Sequence, residues 1–298
     1  MEEYNLKILK LISIVFLILL VSFCSTEDNS INTIRVMTFN IRLNLKSDSL
    51  NAWSYRKENA SSMIRFHHAD IVGLQEALLE QVNDLAEFLP EYEWIGVGRD
   101  DGKTKGEFMA IFYLKKRFKL LKDSTFWLSE NPEVPGKGWD AAFNRIVTWG
   151  EFEDNKTNKK FYMFNTHFDH VGEIARQESA KLLLKYITNF AGNSDVIVTG
   201  DFNSKPNSVT YKTLTQNIKG ASTITLVDSK KVSQYPHHGP NSTFTAFKLS
   251  NLTDNDQLID YIFVKNTMKV LNHGTLSDTF DGLFPSDHMP VLAEIVLE

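Results

Sequence analysis

The sequence predicts an α/β fold in which two β-sheets pack face to face and helices cover them on the outside. Two observations support this fold class. Short runs of β-favouring residues alternate with amphipathic helical stretches in both halves of the chain, and four successive β-like runs lie between residues 107 and 167 with almost no helix between them. If each half of the chain forms one sheet, the apolar faces of the two sheets are buried when the sheets pack against each other.

Composition and charge limit the classes of protein to which the chain can belong. The 298 residues include 42% hydrophobic and 23% charged residues, with 21 Phe and 5 Trp, which is enough for one large core. A net charge of −5 argues against a dedicated nucleic-acid-binding protein, which usually carries a basic stripe. Cys24 is the single cysteine, so there is no cysteine cluster for zinc. Oxygen atoms or imidazoles must therefore hold any metal.

Residues 1–24 have the pattern of a secretory signal, because lysines precede an uncharged apolar run that is too short to span a membrane comfortably. The run ends at Cys24 in a sequence that resembles a bacterial lipobox, whose cysteine is lipidated. Phe23 stands where a small residue is usual, which leaves an uncleaved signal anchor as the alternative. The polar residues 25–32 predict a tether, and the folded domain is expected at 33–298. We therefore expect a protein of the bacterial cell envelope, lipid-anchored to a membrane through Cys24 or secreted.

The first half of the domain begins with an alternating apolar run that predicts a strand at 33–40. Apolar residues spaced for one helix face follow at 56–67. A strand, a helix and a strand are predicted next, at 71–76, 77–88 and 92–97. The four β-like runs that follow lie at 107–114, 120–128, 146–153 and 160–167.

The second half continues with an amphipathic helix at 172–190, whose apolar residues recur at helical spacing. A buried strand at 195–199 precedes a short helix at 208–214, and two more strands are predicted around Asp260 and at 290–297. Substrate specificity is expected to lie in loops such as 99–105 and 131–141.

Polar side chains stand at the ends of several predicted strands. After the strand at 195–199, Gly200 is expected to free the backbone so that Asp201 and Asn203 project into one cavity. A simple strand-end turn is the alternative, since Gly, Asp and Asn are common turn residues. The other strands of this kind carry Asn40, Glu76, Asn165, His167 and Asp260. Packed strands would gather these side chains at one rim.

The polar side chains suggest a site for a hard cation. Carboxylates and amides without a cysteine ligand suit Mg²⁺ or Mn²⁺ rather than structural zinc. Taken singly, the residues keep ordinary alternatives: Glu76 as a charge at a helix N-terminus, Asn40 as a loop cap and Arg145 as a surface ion-pair partner.

Two histidines indicate the reaction. Asp287 and His288 directly precede the last strand, and neighbours in a strand point to opposite faces, so Asp260 is the better candidate to orient His288. Asp287 is then expected to turn toward a metal. His167 is expected to stabilise a leaving oxygen, with Glu107 as its candidate partner. Two imidazoles, a hard cation and an arginine favour hydrolysis of a phosphoester.

Six short motifs occur in order along the chain: Met-Thr-Phe-Asn-Ile-Arg at 37–42, Leu-Gln-Glu at 74–76, Asn-Thr-His at 165–167, Gly-Asp-Phe-Asn at 200–203, Ile-Asp-Tyr-Ile at 259–262 and Ser-Asp-His-Met-Pro at 286–290. In this order they resemble the motifs of the endonuclease/exonuclease/phosphatase superfamily. The resemblance implies a four-layer α/β/β/α sandwich of two mixed sheets flanked by helices, the DNase I-like fold. The sequence His-Phe-Asp-His at 167–170 resembles a bacterial secreted branch of this superfamily.

The resemblance also implies roles for individual residues. Asn40 and Glu76 would bind the metal, with Asp287 or Asp260 nearby. His288, together with Asp260, would act on the water. Asp201 and Asn203 would lie at the nucleophile and scissile phosphate, and Arg145 would contact the phosphate. His167 of the Asn165–His167 motif would lie at the leaving oxygen, with Glu107 as its partner.

The sequence therefore predicts a Mg²⁺- or Mn²⁺-dependent phosphodiesterase or phosphatase that acts on a phosphoester outside the cytoplasm. Cleavage of DNA or RNA is the nearest alternative, and the acidic balance of the chain disfavours it. A catalytically silent surface binding protein on the same scaffold is the alternative of another class. A catalytically silent protein should have lost one of the acid, base or metal-binding residues, and each of the six motifs retains its residues of this kind.

Overall fold

The computed structural model describes residues 33–216, 224–253, 257–265 and 267–297. The predicted signal, the tether and Cys24 lie outside these residues. Among the helices of the described ranges, none is long and apolar enough to cross a membrane.

Within these ranges the chain forms twelve strands: β1 Thr33–Asn40, β2 Ile71–Gln75, β3 Tyr92–Ile95, β4 Ile111–Leu114, β5 Phe118–Trp127, β6 Ile146–Asp154, β7 Lys160–His167, β8 Asp195–Asp201, β9 Leu226–Asp228, β10 Asp260–Lys265, β11 Lys269–Thr275 and β12 Val291–Val296. The helices are α1 Trp53–Phe66, α2 Leu79–Phe88, α3 Glu173–Ala191, α4 Val209–Thr215 and α5 Ser229–Val232, with 3₁₀ turns at Lys46–Asn51 and Leu249–Thr253.

The strands form two six-stranded sheets, in the orders β11-β12-β1-β2-β4-β3 and β5-β6-β7-β8-β10-β9. Each sheet is mixed, because β1 pairs with β2 and β7 with β8 in parallel, whereas β1 pairs with β12 and β8 with β10 in antiparallel fashion. Parallel neighbours need a crossover connection, and helices α1 and α3 provide it.

Three apolar cores separate the layers. Val36 and Ile197 lie in the core between the two sheets, while their chain neighbours Met37 and Val198 lie in the outer cores. This division follows from the strand geometry, since successive side chains point to opposite faces. Helices α1 and α2 cover the first sheet, through residues such as Ile64, and α3 and α4 cover the second. The predicted α/β/β/α sandwich is confirmed.

The structure differs from the prediction most clearly at three strands. Strand β4 begins at Ile111 instead of 107, because Phe108 makes only isolated bridges, to Ala77 and Gly98. Strand β9 was not predicted, since three residues are too short to show an alternating pattern. Strand β11 was not predicted either, because a register shift between Val270 and Asn272 interrupts its alternation.

The two sheets approach each other closely at Gly73 of β2. A Cβ atom at this position would lie 2.2 Å from Thr199 Oγ1 and 2.5 Å from Asn165 Oδ1. We expect Gly73→Ala to lower the free energy of unfolding by about 1–3 kcal/mol, the usual cost of overpacking a core. Urea denaturation measures the change. Gly136→Ala is the matched control, because the nearest heavy atom to its added Cβ is 4.0 Å away, and equal stability of the two variants would contradict the prediction.

Candidate active site

The strand pairing brings the predicted polar side chains to one rim. The parallel pairs align the carboxyl ends of β1 with β2 and of β7 with β8, which places His167 opposite Asp201. The antiparallel strand β10 begins at the same edge, with Asp260 opposite Asp201. Between the sheets, Asn40 Nδ2 donates to Asp201 Oδ2 at 3.0 Å, and Ser286 Oγ donates to the Asn40 carbonyl at 2.7 Å. Two strand ends from the first sheet, three from the second and the loop before β12 therefore meet.

At this rim lies a cavity of about 510 Å³. Eight of the residues predicted for the site line it: Glu76, Glu107, Arg145, His167, Asp201, Asn203, Asp287 and His288. Asn40 and Asp260 are buried behind them, in hydrogen bonds to lining residues. Phe244 also lies on its wall, with its ring centroid 4.9 Å from that of His288.

Asn165 has a different position from the other predicted residues. It is fully buried between the sheets, where its Oδ1 accepts from Gln75 Nε2 at 2.7 Å and from Thr199 Oγ1 at 3.0 Å. Its Nδ2 donates to the carbonyls of Leu74 and Ala110. The amide thus bridges the two sheets and does not line the cavity, and a catalytic role for Asn165 stays a prediction.

A cluster of candidate metal ligands is formed by Glu76, Asp201 and His288, whose ligand atoms all lie within 4.8 Å of one another. Asn40 Nδ2 holds the two carboxylates together, donating to Glu76 Oε1 at 3.1 Å and to Asp201. Burial and the neighbouring Asp260 raise the pKa of Asp201 to about 7. Negative charge is therefore crowded here, and carboxylate oxygens beside an imidazole suit a hard divalent cation.

Two predicted ligands lie next to this cluster. Asn40 Oδ1 accepts from the backbone N–H of Arg42 at 3.0 Å, and Asp287 Oδ2 lies 3.8 Å from Arg42 Nη1. Arg42 itself is fixed by Asp48, which accepts from its Nε at 3.1 Å and its Nη2 at 3.2 Å. Ligation of a metal by Asn40 or Asp287 stays a prediction.

The backbone is strained at three residues around the cavity. Arg42, Glu76 and Asn203 have φ angles of 57°, 61° and 45°, in the left-handed region that costs non-glycine residues free energy. Gly200 lies inside regular strand, contrary to the expectation that it frees the backbone. A Cβ at Gly200 would lie 2.5 Å from the carbonyl oxygen of Thr166, so close strand approach requires the glycine. The backbone turn that directs the side-chain amide of Asn203 into the cavity is made at Asn203 itself.

His288 and Asp260 form a buried pair, with 2.8 Å between His288 Nδ1 and Asp260 Oδ2. Because a carboxylate accepts, the proton of the ring lies on Nδ1, and Nε2 points toward Asp201 Oδ2 at 3.8 Å. Burial lowers the pKa of His288, but the charge and hydrogen bond of Asp260 outweigh it and hold the pKa well above 6.5. The Thr243 hydroxyl oxygen accepts from the backbone N–H of Asp260 at 3.1 Å and fixes the backbone of Asp260 in turn.

The pKa of His167 is shifted in the opposite direction from that of His288. Its Nε2 lies 3.0 Å from Asn203 Nδ2, which can only donate, so Nε2 accepts and the ring proton lies on Nδ1. Burial, with the charges of Arg145 and Arg99, lowers the pKa of His167 well below 6.5. The nearest Glu107 oxygen is 3.9 Å from Nδ1. His167 is therefore a neutral imidazole in this cavity.

Glu107 has a closer partner that sequence reasoning missed. Arg99 Nη1 donates to Glu107 Oε2 at 2.6 Å, while burial raises the pKa of Glu107 to about 7 against the charge of Arg99. Arg99 lies in a loop with no hydrophobic periodicity, so no local pattern marked it. The pairing of Arg99 with Glu107 became visible only in the structure.

Arg145 is 4% exposed, which excludes the surface ion-pair alternative. Its Nε donates to Asp169 Oδ2 at 3.2 Å, and its Nη2 lies 3.1 Å from His170 Nδ1. The third nitrogen, Nη1, is buried and has no hydrogen-bond partner. Burial raises the pKa of Asp169, but the N–H groups of Gly172 and its neighbours, with Arg145, outweigh this and keep the pKa well below its usual range. A buried donor without an acceptor, beside a cavity, suits an oxyanion.

The chain is similar to known proteins over most of its length. A family model described as the endonuclease/exonuclease/phosphatase family matches residues 37–288. An endonuclease/exonuclease/phosphatase from Bacteroides vulgatus is 43% identical, covers 89% of this chain and 99% of its own, and superposes with a TM-score of 0.84. A mannosyl-6-phosphatase from Bacteroides thetaiotaomicron is 39% identical, covers 89% of this chain and 100% of its own, and has a TM-score of 0.82.

A more distant relative is a nuclease. The CCR4-Not complex 3′-5′-exoribonuclease subunit Ccr4 of Candida albicans is 25% identical over 310 residues, which cover 83% of this chain and 38% of that protein. The chain is therefore similar to a phosphatase and, more distantly, to a nuclease. Since the family model spans most of the chain, the protein belongs to the endonuclease/exonuclease/phosphatase family.

Proposed function

We propose that the protein is a divalent-metal-dependent phosphomonoesterase that hydrolyses a sugar phosphate outside the cytoplasm. One observation carries the proposal, namely that two functional groups line the same cavity. The first is the imidazole of His288, which the buried carboxylate of Asp260 orients, and the second is the guanidinium of Arg145, whose Nη1 is buried without a hydrogen-bond partner. Hydrolysis of a phosphoester needs both, a base for water and a donor for the phosphoryl oxygens.

Glu76 and Asp201, with Asn40 and Asp287 as the other candidates, would hold the cation. A hard divalent cation at this position would neutralise charge on the phosphoryl oxygens. The crowded carboxylates need such a countercharge, since burial and Asp260 raise the pKa of Asp201 to about 7.

The side chains of the protein perform the proton transfer. His288 Nε2 takes a proton from the attacking water, and Asp260 stabilises the imidazolium that results. Arg145 Nη1 donates to a non-bridging oxygen of the phosphate, and its bond to Asp169 fixes the guanidinium before the substrate arrives. The single ring proton of His167 lies on Nδ1, because Nε2 accepts from Asn203, and this N–H is the donor that stabilises the leaving oxygen.

The substrate class is supported by similarity. The Bacteroides thetaiotaomicron mannosyl-6-phosphatase is 39% identical and is covered over 100% of its own length, whereas the Ccr4 exoribonuclease is 25% identical and is covered over 38% of its own length. The net charge of −5 also disfavours a polyanionic substrate. We therefore favour a sugar phosphomonoester over a nucleic acid.

The decisive experiment compares substrates. Purified protein is incubated with mannose 6-phosphate, bis(p-nitrophenyl) phosphate and a single-stranded RNA oligonucleotide, each with Mg²⁺, Mn²⁺ or EDTA. We expect kcat/KM to be at least about ten-fold higher for the sugar phosphate, and lost in EDTA. Faster cleavage of the RNA would favour a nuclease. A folded protein that hydrolyses none of the three would favour the silent binding protein.

Action outside the cytoplasm rests on residues 1–32. The chain that precedes Thr33 enters at the end of β1 opposite Asn40, an eight-residue strand away and thus roughly 23 Å from the rim. An anchor at Cys24 would thus join the domain at the end of β1 that lies opposite the rim. Cell fractionation and the intact mass of the membrane-extracted protein test the proposal, which an unmodified Cys24 or a retained Met1 would contradict.

A further inference from the structure

The proposed chemistry does not use one wall of the cavity. Phe143 lies on this wall with half of its side chain exposed, at 50%. Its ring stacks on His170, with 5.8 Å between the ring centroids and 16° between the planes. The guanidinium carbon of Arg99 lies 5.1 Å from the centroid of the Phe143 ring. We call Arg99, Phe143 and His170 the aromatic wall.

The contact between Arg145 and His170 fixes what the wall offers to a ligand. A guanidinium can only donate, so His170 Nδ1 accepts from Arg145 Nη2 and carries no proton. The ring proton of His170 then lies on Nε2. Since His170 is exposed and lines the cavity, the wall presents one N–H donor beside the apolar edge of Phe143.

The wall is fixed in advance of binding. Asp169 Oδ2 accepts from the N–H of Phe143 at 3.4 Å and from Arg145 Nε at 3.2 Å, which ties the loop to the phosphate-binding arginine. Asp140, from the same loop, caps helix α3 by accepting from the N–H of Ala175 at 2.6 Å. A preorganised wall costs little conformational entropy when a ligand binds.

We infer that the aromatic wall is the subsite for the alcohol part of the substrate, and that it selects a polyhydroxylated ring. The C–H groups of such a ring pack against the exposed edge of Phe143, and one hydroxyl oxygen accepts from His170 Nε2. This inference rests on the proposed phosphomonoesterase function, because Arg145 must hold the phosphate with Nη1 while it holds His170 with Nη2. With His170 and Arg99 packed against it, Phe143 offers little free face for stacking a nucleobase.

The test measures selectivity between two monoesters. For wild type, His170→Ala and Phe143→Ala, kcat/KM is determined with mannose 6-phosphate and with propyl phosphate, which has the phosphate but no ring and no free hydroxyl. We expect the ratio of the two values to fall about ten-fold in each variant, mainly through KM for the sugar phosphate. His170→Gln, which keeps an N–H donor, should recover part of the ratio.

Val171→Ala is the matched control, because Val171 is exposed and keeps its backbone N–H bond to Asp169. Thermal melting confirms the fold, and Phe143→Leu replaces Phe143→Ala if that variant unfolds. An unchanged ratio in the His170 and Phe143 variants, or equal loss for both substrates, would overturn the inference while the proposed function stands. A wild type inactive on all sugar phosphates would overturn the proposed function itself. Selective loss of RNA cleavage would show that the wall binds nucleobases instead.

Discussion

His288→Ala is expected to lower kcat by about 10²–10⁴-fold, the range typical of a lost general base. The reason is geometric, since Asp260 accepts from His288 Nδ1 at 2.8 Å and leaves Nε2 as the proton acceptor in the cavity. Steady-state kinetics with saturating metal measure the effect. KM should change little, because the phosphate is held by other groups.

The variant needs a control for folding, because it leaves the Asp260 carboxylate buried without its partner. His288→Gln keeps a donor for Asp260, so it should be as inactive as His288→Ala but closer to wild type in thermal stability. His238→Ala removes an exposed imidazole outside the cavity and should retain full activity. Retained activity in both His288 variants would show that another group activates the water.

The same pair sets the pH dependence. A general base must be deprotonated, so kcat/KM should rise with pH through the pKa of His288, which Asp260 raises above 6.5 despite burial. Asp260→Asn removes the charge that raises this pKa and should move the rising limb to lower pH at the same metal concentration. A limb that does not move would separate Asp260 from the titrating base.

Glu76→Gln is expected to abolish metal-dependent turnover, with a loss of at least about 100-fold in kcat/KM. The substitution keeps the size of the side chain but removes the charge that Asn40 and the N–H of Leu43 hold at the rim, at 3.1 Å each. Glu80→Gln, four residues along and exposed, is the matched control and should behave as wild type.

Metal binding can be followed without turnover. A cation that binds the folded state raises the melting temperature by an amount that grows with the logarithm of its concentration relative to Kd, so Mg²⁺ or Mn²⁺ should stabilise the wild type. The increase should shrink in Glu76→Gln and persist in Glu80→Gln. Isothermal titration calorimetry should give the same order of affinities. A Glu76→Gln protein with unchanged metal affinity and activity would exclude Glu76 as a ligand.

Much of the site could be predicted because its residues end strands. Alternating apolar residues mark a strand, and a polar residue at the end of the run marks the point where the strand leaves the core. Asn40, Glu76, His167, Asp201 and Asp260 were found in this way, and the structure brings them to one rim. The pairing of His288 with Asp260 was also predicted, because adjacent residues in a strand cannot face each other.

Contacts that join separate segments could not be predicted from local pattern. Arg99 binds Glu107 from an irregular loop, and the stack of Phe143 on His170 joins two loops far apart in the chain. The bridging amide of Asn165 depends on how closely the sheets approach at Gly73. None of these contacts follows from spacing, because each requires the register of the strands and the distance between the sheets.

The sequence by itself determined the layered α/β/β/α class, the positions of most strands along the chain and the kinds of side chain at their ends, since these depend on local periodicity and residue chemistry. The tertiary structure alone decided which atoms meet: the grouping of Glu76 with Asp201 and His288, the free nitrogen of Arg145 and the neutral state of His167. Hydrogen-bond partners and burial set these properties, and both arise only when the two sheets pack.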